Sequence, residues 1–320
     1  MDRFEVTYRI FAGSLAQAKD RAQGIALEQT VEIPRDVVPS GFVEDVILGR
    51  VEDVGSDGSD QYRATISYSP ESCGTELPQL LNVMFGNSSI QKGLKVIGFE
   101  PGPLSDVFTG ARFGIDGIRT LARTPDGPLV APVIKPQGSS AETLADIAYA
   151  CARAGAHIVK EDHGLTDQPM APFKARVERI GQAVARANAE TGGKSLYFAN
   201  LAGQTGDLMD HARFAKEAGA HGLLIMPGLF GFDLIHRIAT SGLELPIMTH
   251  PSFLGPYVLS EDTGFTHAMM FGTLQRLAGS DVSVFPNVGG RFGFTHEQCR
   301  SIADACRDRG MGRAILASPG

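Results

Sequence analysis

The sequence predicts a two-part α/β chain. A ferredoxin-like α+β domain spans residues 1–122, and a (β/α)8 barrel, incomplete at seven strands, spans 123–320. Three observations predict this. The first hundred residues read β-α-β-β-α-β, the ferredoxin-like order. After about residue 125, short apolar strands alternate with amphipathic helices. Those strands lack polar–apolar alternation, as a sheet covered on both faces requires.

Each element follows from local signals. RFEVTYRIF alternates like a half-buried strand, and SLAQAKDRAQGIALEQT reads as a helix capped by Ser14. FVEDVILGRVEDV and QYRATISYS read as strands joined by a GSDGSD turn. LPQLLNVMF is a short helix and GLKVIGFE a strand; PGPLSDVFTGARFGIDGIRT, rich in Gly and Pro, reads as a linker. The barrel strands are LVAPVIK, AHIVKED, SLYFAN, GLLIMP, LPIMTH, VSVFPN and RAILAS. Between them SAETLADIAYACARAG, PFKARVERIGQAVARANAETG, TGDLMDHARFAKEAGA, GFDLIHRIATSG, TGFTHAMMFGTLQRLAG and THEQCRSIADACRDRG read as helices. Several open at Ser or Thr and close at Gly, as capping requires. A doubly wound sheet would want a Gly-rich turn after its first strand. KPQGSS stands there instead, which favours the barrel.

Composition narrows the function classes. The net charge of −7 argues against a nucleic-acid or anionic-membrane surface. No apolar run is long enough to span a bilayer, and MDRFEVTYRI lacks a signal-peptide pattern. Four scattered cysteines give no disulfide framework, so a reducing, cytoplasmic setting is expected.

Barrel active sites lie at the carboxyl ends of the strands. Those ends carry Lys135, then Lys160, Glu161, Asp162 and His163, then Asn200, His250, Asn287 and Ser318. A strand-end lysine is more often a rim residue, and Lys160 with Asp162 has the bland reading of an ion pair. Two lysines at adjacent strand ends beside an Asp and a His favour a chemical site. A lysine desolvated there has a lowered pKa and can act as a general base. Its amine can instead add carbon dioxide, and the resulting carbamate can hold Mg²⁺ with Asp162. Mg²⁺ would then stabilise an enediolate as a Lewis acid. Lys160 and Asp162, two residues apart, share one face of a regular strand.

GARFGIDGIRT, VIKPQG, VKEDHGLTDQPMAPFKARV and MFGN resemble the RuBisCO large-chain superfamily, more narrowly its non-carboxylating, form IV RuBisCO-like proteins. The similarity runs from IALEQT through VFPNVGGRF. It implies a homodimer with active sites shared between chains. It also implies that Lys160 is the carbamylated lysine, Asp162 a magnesium ligand, and Lys135 and His250 catalytic. Glu28 and Asn87 match the N-domain residues that reach the neighbouring site.

Departures from the family pattern are informative. His163 replaces the second carboxylate ligand, and imidazole suits softer metals better than Mg²⁺. Gln137 replaces a second lysine, Pro251 an arginine and Met270 a histidine. Ile33 and Pro34 replace the Thr-Trp pair that touches phosphate. VFPNVGGRF replaces the mobile lysine loop. There Arg291, with Gly289 and Gly290, offers an anion-binding group, although a loop arginine paired with a surface acid is an equal reading. Asn200 and Ser318 complete the expected substrate contacts.

These losses argue against ribulose-bisphosphate carboxylation. The surviving residues imply enolisation of a phosphorylated keto-sugar or keto-sugar acid. Isomerisation, as in a 5-methylthioribulose-1-phosphate isomerase, and decarboxylation, as in a 3-oxo-isoapionate-4-phosphate decarboxylase, both follow from that intermediate. The rival class is a truncated, catalytically silent homologue that only dimerises. A closed barrel needs eight strands, so the sequence leads to the expectation of an open sheet edge, poor stability and little activity.

Overall fold

The computed structural model describes residues 2–308 and 310–320. Its strands are, in chain order, β1 Phe4–Phe11, β2 Arg50–Gly58, β3 Gln61–Tyr68, β4 Leu94–Glu100, β5 Val133–Ile134, β6 Ile158–Glu161, β7 Leu196–Asn200, β8 Gly222–Ile225, β9 Ile247–Thr249, β10 Gly264–Phe265, β11 Val282–Phe285 and β12 Leu316–Pro319. Its helices are α1 Leu15–Glu28, α2 Leu77–Phe85, α3 Gly114–Ala122, α4 Ala141–Arg153, α5 Phe173–Thr191, α6 Leu208–Glu217, α7 Pro227–Phe230, α8 Phe232–Thr240, α9 Leu274–Ala278 and α10 His296–Arg307.

Two compact units result. One holds Met1–Gly110, Leu254–Leu277 and Pro286–Gly312; the other holds Ala111–Phe253, Ala278–Phe285 and Arg313–Gly320. The boundary near residue 110 gives α3 to the second unit, whereas the sequence placed residues up to 122 in the first domain.

In the first unit, β4, β1, β3 and β2 lie in that order with antiparallel pairing, the ferredoxin-like arrangement. Strict alternation along β1 buries Phe4, Val6, Tyr8 and Ile10 on one face. Ser14 caps α1 as expected, accepting from Gln17 N–H. Two readings are corrected here. The stretch Val43–Ile47 is a wide helical turn with no buried residue, and the strand begins only at Arg50. Its apolar side chains have no layer to face, and Arg3 binds the carbonyls of Val46 and Leu48. TGFTHAMMFGTLQRLAG is not helical throughout: Gly264 and Phe265 extend the sheet in parallel beside β4. Gly264, at φ +98°, is required there, because a Cβ would meet Tyr257 O at 2.2 Å.

The second unit contains a parallel sheet of seven strands in the order β12-β11-β9-β8-β7-β6-β5. The expected class and strand count are therefore observed. One face curls around a single apolar cluster. Ile158, Leu196, Phe198, Leu224, Met248, Val282 and Val284 meet there, with Ile118 and Ala122 of α3. The expected linker thus contains a helix, and its apolar side fills the sheet's concave face.

The residues just before alternate strands tie their neighbours. His157 Nδ1 accepts from Val130 N–H at 3.0 Å, and His221 Nδ1 from Tyr197 N–H at 3.2 Å. Asp281 accepts from Phe113, Gly114 and Ile247 N–H at 2.7, 2.8 and 2.9 Å, which anchors the start of α3. No helix among the described residues is long and apolar enough to cross a membrane.

Candidate active site

The strands end in polar residues because their inward positions alternate. Ile158 belongs to the apolar cluster; Lys160 and Asp162 follow on the same face, one and two steps nearer the carboxyl end. Leu196 and Phe198 lead in the same way to Asn200, and Met248 to His250. Leu129 and Ala131, packed on the cluster, lead to Lys135.

The ends of β5, β6 and β9 converge. Lys135 Nζ lies 3.8 Å from Asp162 Oδ1, and His163 Nδ1 lies 3.5 Å from the same oxygen. The His163 ring stacks on His250, with centroids 4.0 Å apart and planes at 16°. His250 Nδ1 is fixed by Ser252, through Oγ at 3.0 Å and N–H at 3.3 Å. Burial, reinforced by His163 and Lys160, pushes the His250 pKa down to about 3, so that ring is neutral at physiological pH.

Lys160 is only 7% exposed. Its ammonium contacts the Glu161 carbonyl at 3.5 Å, and no carboxylate among the described residues lies within ion-pair distance. Burial pushes its pKa down to about 8; Asp162 opposes the shift and Lys135 adds to it. Lys135, by contrast, is 55% exposed at its side chain. The site therefore pairs a buried, deprotonatable amine with an open lysine anchored on Asp162.

Sequence reasoning named Glu161 at the strand end but gave it no role. Alternation turns it to the opposite face from Lys160, towards α5. There it is fully buried and binds Arg176 Nε at 2.9 Å, Tyr197 OH at 2.8 Å and Asn200 N–H at 2.8 Å. The signal was present: a carboxylate covered by a helix needs a cation, and PFKAR at the start of α5 supplies one.

The structure brings Lys135, Asp162, His163 and His250 together, with Lys160 beside them. Asn200 closes the next strand end; its Nδ2 donates to the carbonyls of His163 (3.2 Å) and Leu165 (2.8 Å). Ser318 lies on β12, at one end of the sheet. Glu28, Asn87, Gly289, Gly290 and Arg291 belong to the first unit. Within it Asn87 Nδ2 donates to Glu28 Oε1 at 3.0 Å. Gly289, at φ +73°, and Gly290 serve a turn, since a Cβ on Gly290 would meet Asn287 Oδ1 at 2.1 Å. Arg291 lies over the neighbouring Phe292 ring at 5.3 Å.

The unmodified side chains do not form a Mg²⁺ site. Among the described residues no group of three or more His, Cys, Asp or Glu is placed to hold a metal ion. Asp162 supplies the carboxylate nearest Lys135 and His163, and His163 adds a buried nitrogen without a hydrogen-bond partner. A carbamate on Lys160 would add a second anionic group beside Asp162.

A curled parallel sheet in a chain that also carries a ferredoxin-like unit, with lysines at two adjacent strand ends, defines a narrow class. Residues 114–311 match the catalytic domain of the ribulose bisphosphate carboxylase large chain, and the chain belongs to that family. Within it the chain is a RuBisCO-like protein of the non-carboxylating, form IV type. It is 34% identical to a 5-methylthioribulose-1-phosphate isomerase of Rhodospirillum rubrum, over 95% of this chain and 80% of that protein. It is 33% identical to a 2,3-diketo-5-methylthiopentyl-1-phosphate enolase of Bacillus pumilus, over 96% and 78%. A solved Rubisco-like protein from Rhodopseudomonas palustris superposes with a TM-score of 0.88 at 34% identity, covering 100% of this chain and 88% of that one.

Proposed function

We propose that the chain is an enzyme that enolises a phosphorylated keto-sugar or keto-sugar acid, and that isomerisation follows. The buried amine of Lys160 carries this reading. Its pKa of about 8 leaves a useful fraction neutral near neutral pH, so it can take a proton from the carbon next to a carbonyl. Lys135, tethered to Asp162 but largely exposed, is suited to polarise that carbonyl and to hold the enolate oxygen. The neutral His250 ring holds His163 by stacking and adds no cation of its own.

The activities for which the relatives are named support a sugar phosphate as substrate. They favour proton transfer over decarboxylation, since one relative is an isomerase and another an enolase. The pairing of Glu28 with Asn87 suits the homodimeric arrangement that the resemblance implies, in which these residues serve a neighbouring site.

Proton–deuterium exchange in D₂O tests the reading, because it detects enolisation even without net product. The substrates are 5-methylthioribulose 1-phosphate and a panel of other phosphorylated keto-sugars. Wild-type protein exchanges the proton next to the carbonyl of at least one. Lys160→Ala lowers the rate by roughly 10²-fold or more, as loss of a general base does, while far-UV circular dichroism stays unchanged. Absence of exchange with every phosphorylated keto-sugar, or full exchange by Lys160→Ala, refutes the proposal.

A further inference from the structure

Glu161 sits outside the group of side chains just described, yet its bonds end on the backbone that carries them. Its Oε1 accepts from Arg176 Nε at 2.9 Å and Tyr197 OH at 2.8 Å, and its Oε2 accepts from Asn200 N–H at 2.8 Å. Arg176 continues outward. Its Nη1 donates to the carbonyls of Thr166 and, at 3.1 Å, Ala171. Asn200 closes the circuit by donating to the carbonyls of His163 and Leu165. The loop after β6 is therefore held from both sides by groups that meet on one carboxylate. Glu161 and Arg176 are both 0% exposed, so water does not substitute for any of these bonds.

We propose that Glu161 is a positioning residue: through Arg176 and Asn200 it sets where Asp162 and His163 stand against Lys135 and His250. The inference rests on the enolising site proposed above for its functional consequence, and on geometry alone for its structural one. The carboxylate is needed as such. It receives three donors on two oxygens, and an ionised carboxylate accepts at both. A glutamine in its place has one accepting oxygen. If that oxygen meets Arg176 and Tyr197, its NH₂ group faces Asn200 N–H, and two donors oppose each other. The tie between the ends of β6 and β7 is then lost while the chain around it keeps its apolar core.

The variants Glu161→Gln and Tyr197→Phe separate positioning from general stability. Both remove a hydrogen bond to the same carboxylate, but Tyr197→Phe leaves the Asn200 and Arg176 bonds in place. The first readout is the set of imidazole resonances in protein labelled with ¹⁵N at its 8 histidines, with His163 and His250 assigned by His163→Gln and His250→Gln. Well below the melting temperature, Glu161→Gln shifts the His163 and His250 signals and leaves those of His157, His221 and His236 in place. Tyr197→Phe leaves all of them in place. The second readout is the deuterium-exchange assay. Glu161→Gln lowers kcat by about tenfold or more and moves KM by less than about threefold, because displaced groups are missed chiefly in the transition state.

Unchanged His163 and His250 signals in Glu161→Gln overturn the proposal, as does a uniform shift of all the histidines or the same shift in Tyr197→Phe. If Glu161→Gln does not fold, Arg176→Lys carries the same test. It keeps a cation beside the carboxylate but cannot reach the Thr166 and Ala171 carbonyls together, so His163 moves. A wild-type protein without exchange activity would refute the enolising function while the resonance arm still decides the positioning role.

Discussion

Replacing Asp281 by Ala removes one side chain and leaves three buried backbone donors without an acceptor. Asp281 is 1% exposed and accepts from Phe113, Gly114 and Ile247 N–H. Each unsatisfied buried donor costs about 1–3 kcal/mol, and partial rearrangement brings the expected total to roughly 2–5 kcal/mol near pH 5. The ionisation of the carboxyl adds a pH dependence. Burial raises its pKa from 3.8 to about 6, against the lowering effect of the three amides. A folded value above the unfolded one means that the group's favourable contribution is complete below pH 3.8 and is lost as the pH rises through about 6. Between pH 5 and pH 8 the wild-type protein therefore gives up about 1–2 kcal/mol that the alanine variant never had. The loss in Asp281→Ala should shrink by that amount over the interval. With no Trp in the chain, urea unfolding at the two pH values is best followed by far-UV circular dichroism. Asp281→Asn, which likewise cannot titrate, should show the same shrinkage of its own loss over that interval. A loss below about 1 kcal/mol for Asp281→Ala, where at least one unsatisfied donor is expected, or a loss that grows towards pH 8, would refute the reasoning.

His221 behaves with the opposite sign. Burial and the nearby Lys194 hold its pKa below 6.5, so its contribution is complete above pH 6.5 and fades as the pH falls. His221→Ala should cost about 1 kcal/mol near pH 8 by freeing Tyr197 N–H, with a smaller loss near pH 5.5 in the same unfolding assay; an equal or larger loss at the lower pH would contradict this. Bicarbonate with Mg²⁺ tests the metal question separately. The unmodified donor set leads to the expectation that they change deuterium exchange by less than about twofold. A large stimulation that Asp162→Asn abolishes, together with bound metal in a metal-content assay, would show that a Lys160 carbamate completes the site. Tyr149 provides a control away from the strand ends, where Arg186 lies over its ring at 4.3 Å and Arg153 at 5.6 Å. Tyr149→Ala should cost about 1–2 kcal/mol of stability and leave exchange untouched; altered exchange would show an unexpected link to the site.

The parts of the fold that were legible share one property: their signal lies within the element. The period of two along FEVTYRIF is enough to orient β1, and Thr295 with Gln298 forms a complete capping box at the start of α10. The failures share the opposite property. GIDGIRTLA has two glycines and no local cap, so it reads as a linker. Its helix is started by Asp281, more than 160 residues away, and is kept by burial of Ile118 and Ala122. FVEDVI failed in the other direction. Its alternation is real, but an apolar stripe makes a strand only where a layer exists to receive it, and none of Val43–Ile47 is buried.

The same division runs through the site. That Lys160 and Asp162 share a face follows from pleating alone, and so does the turning away of Glu161. What pleating cannot convey is which neighbour waits on each face. The stacking of His163 on His250 joins β6 to β9, which are separated in the sheet by β7 and β8. It depends on the curl of the whole sheet, a property that no window of sequence contains. The curl also gives His163 a partner of its own. A carboxylate at that position beside Asp162 would need a cation to offset like-charge repulsion. An imidazole needs none, and the neutral ring of His250 gives it a place to rest. His163 and His250 thus act as one structural unit, and His250→Ala should release His163 from Asp162 as surely as a direct substitution would. The ¹⁵Nδ1 resonance of His163, compared with its position in Asp162→Asn, reports that release; if it stays at its wild-type position in His250→Ala, the two rings are not coupled in this way.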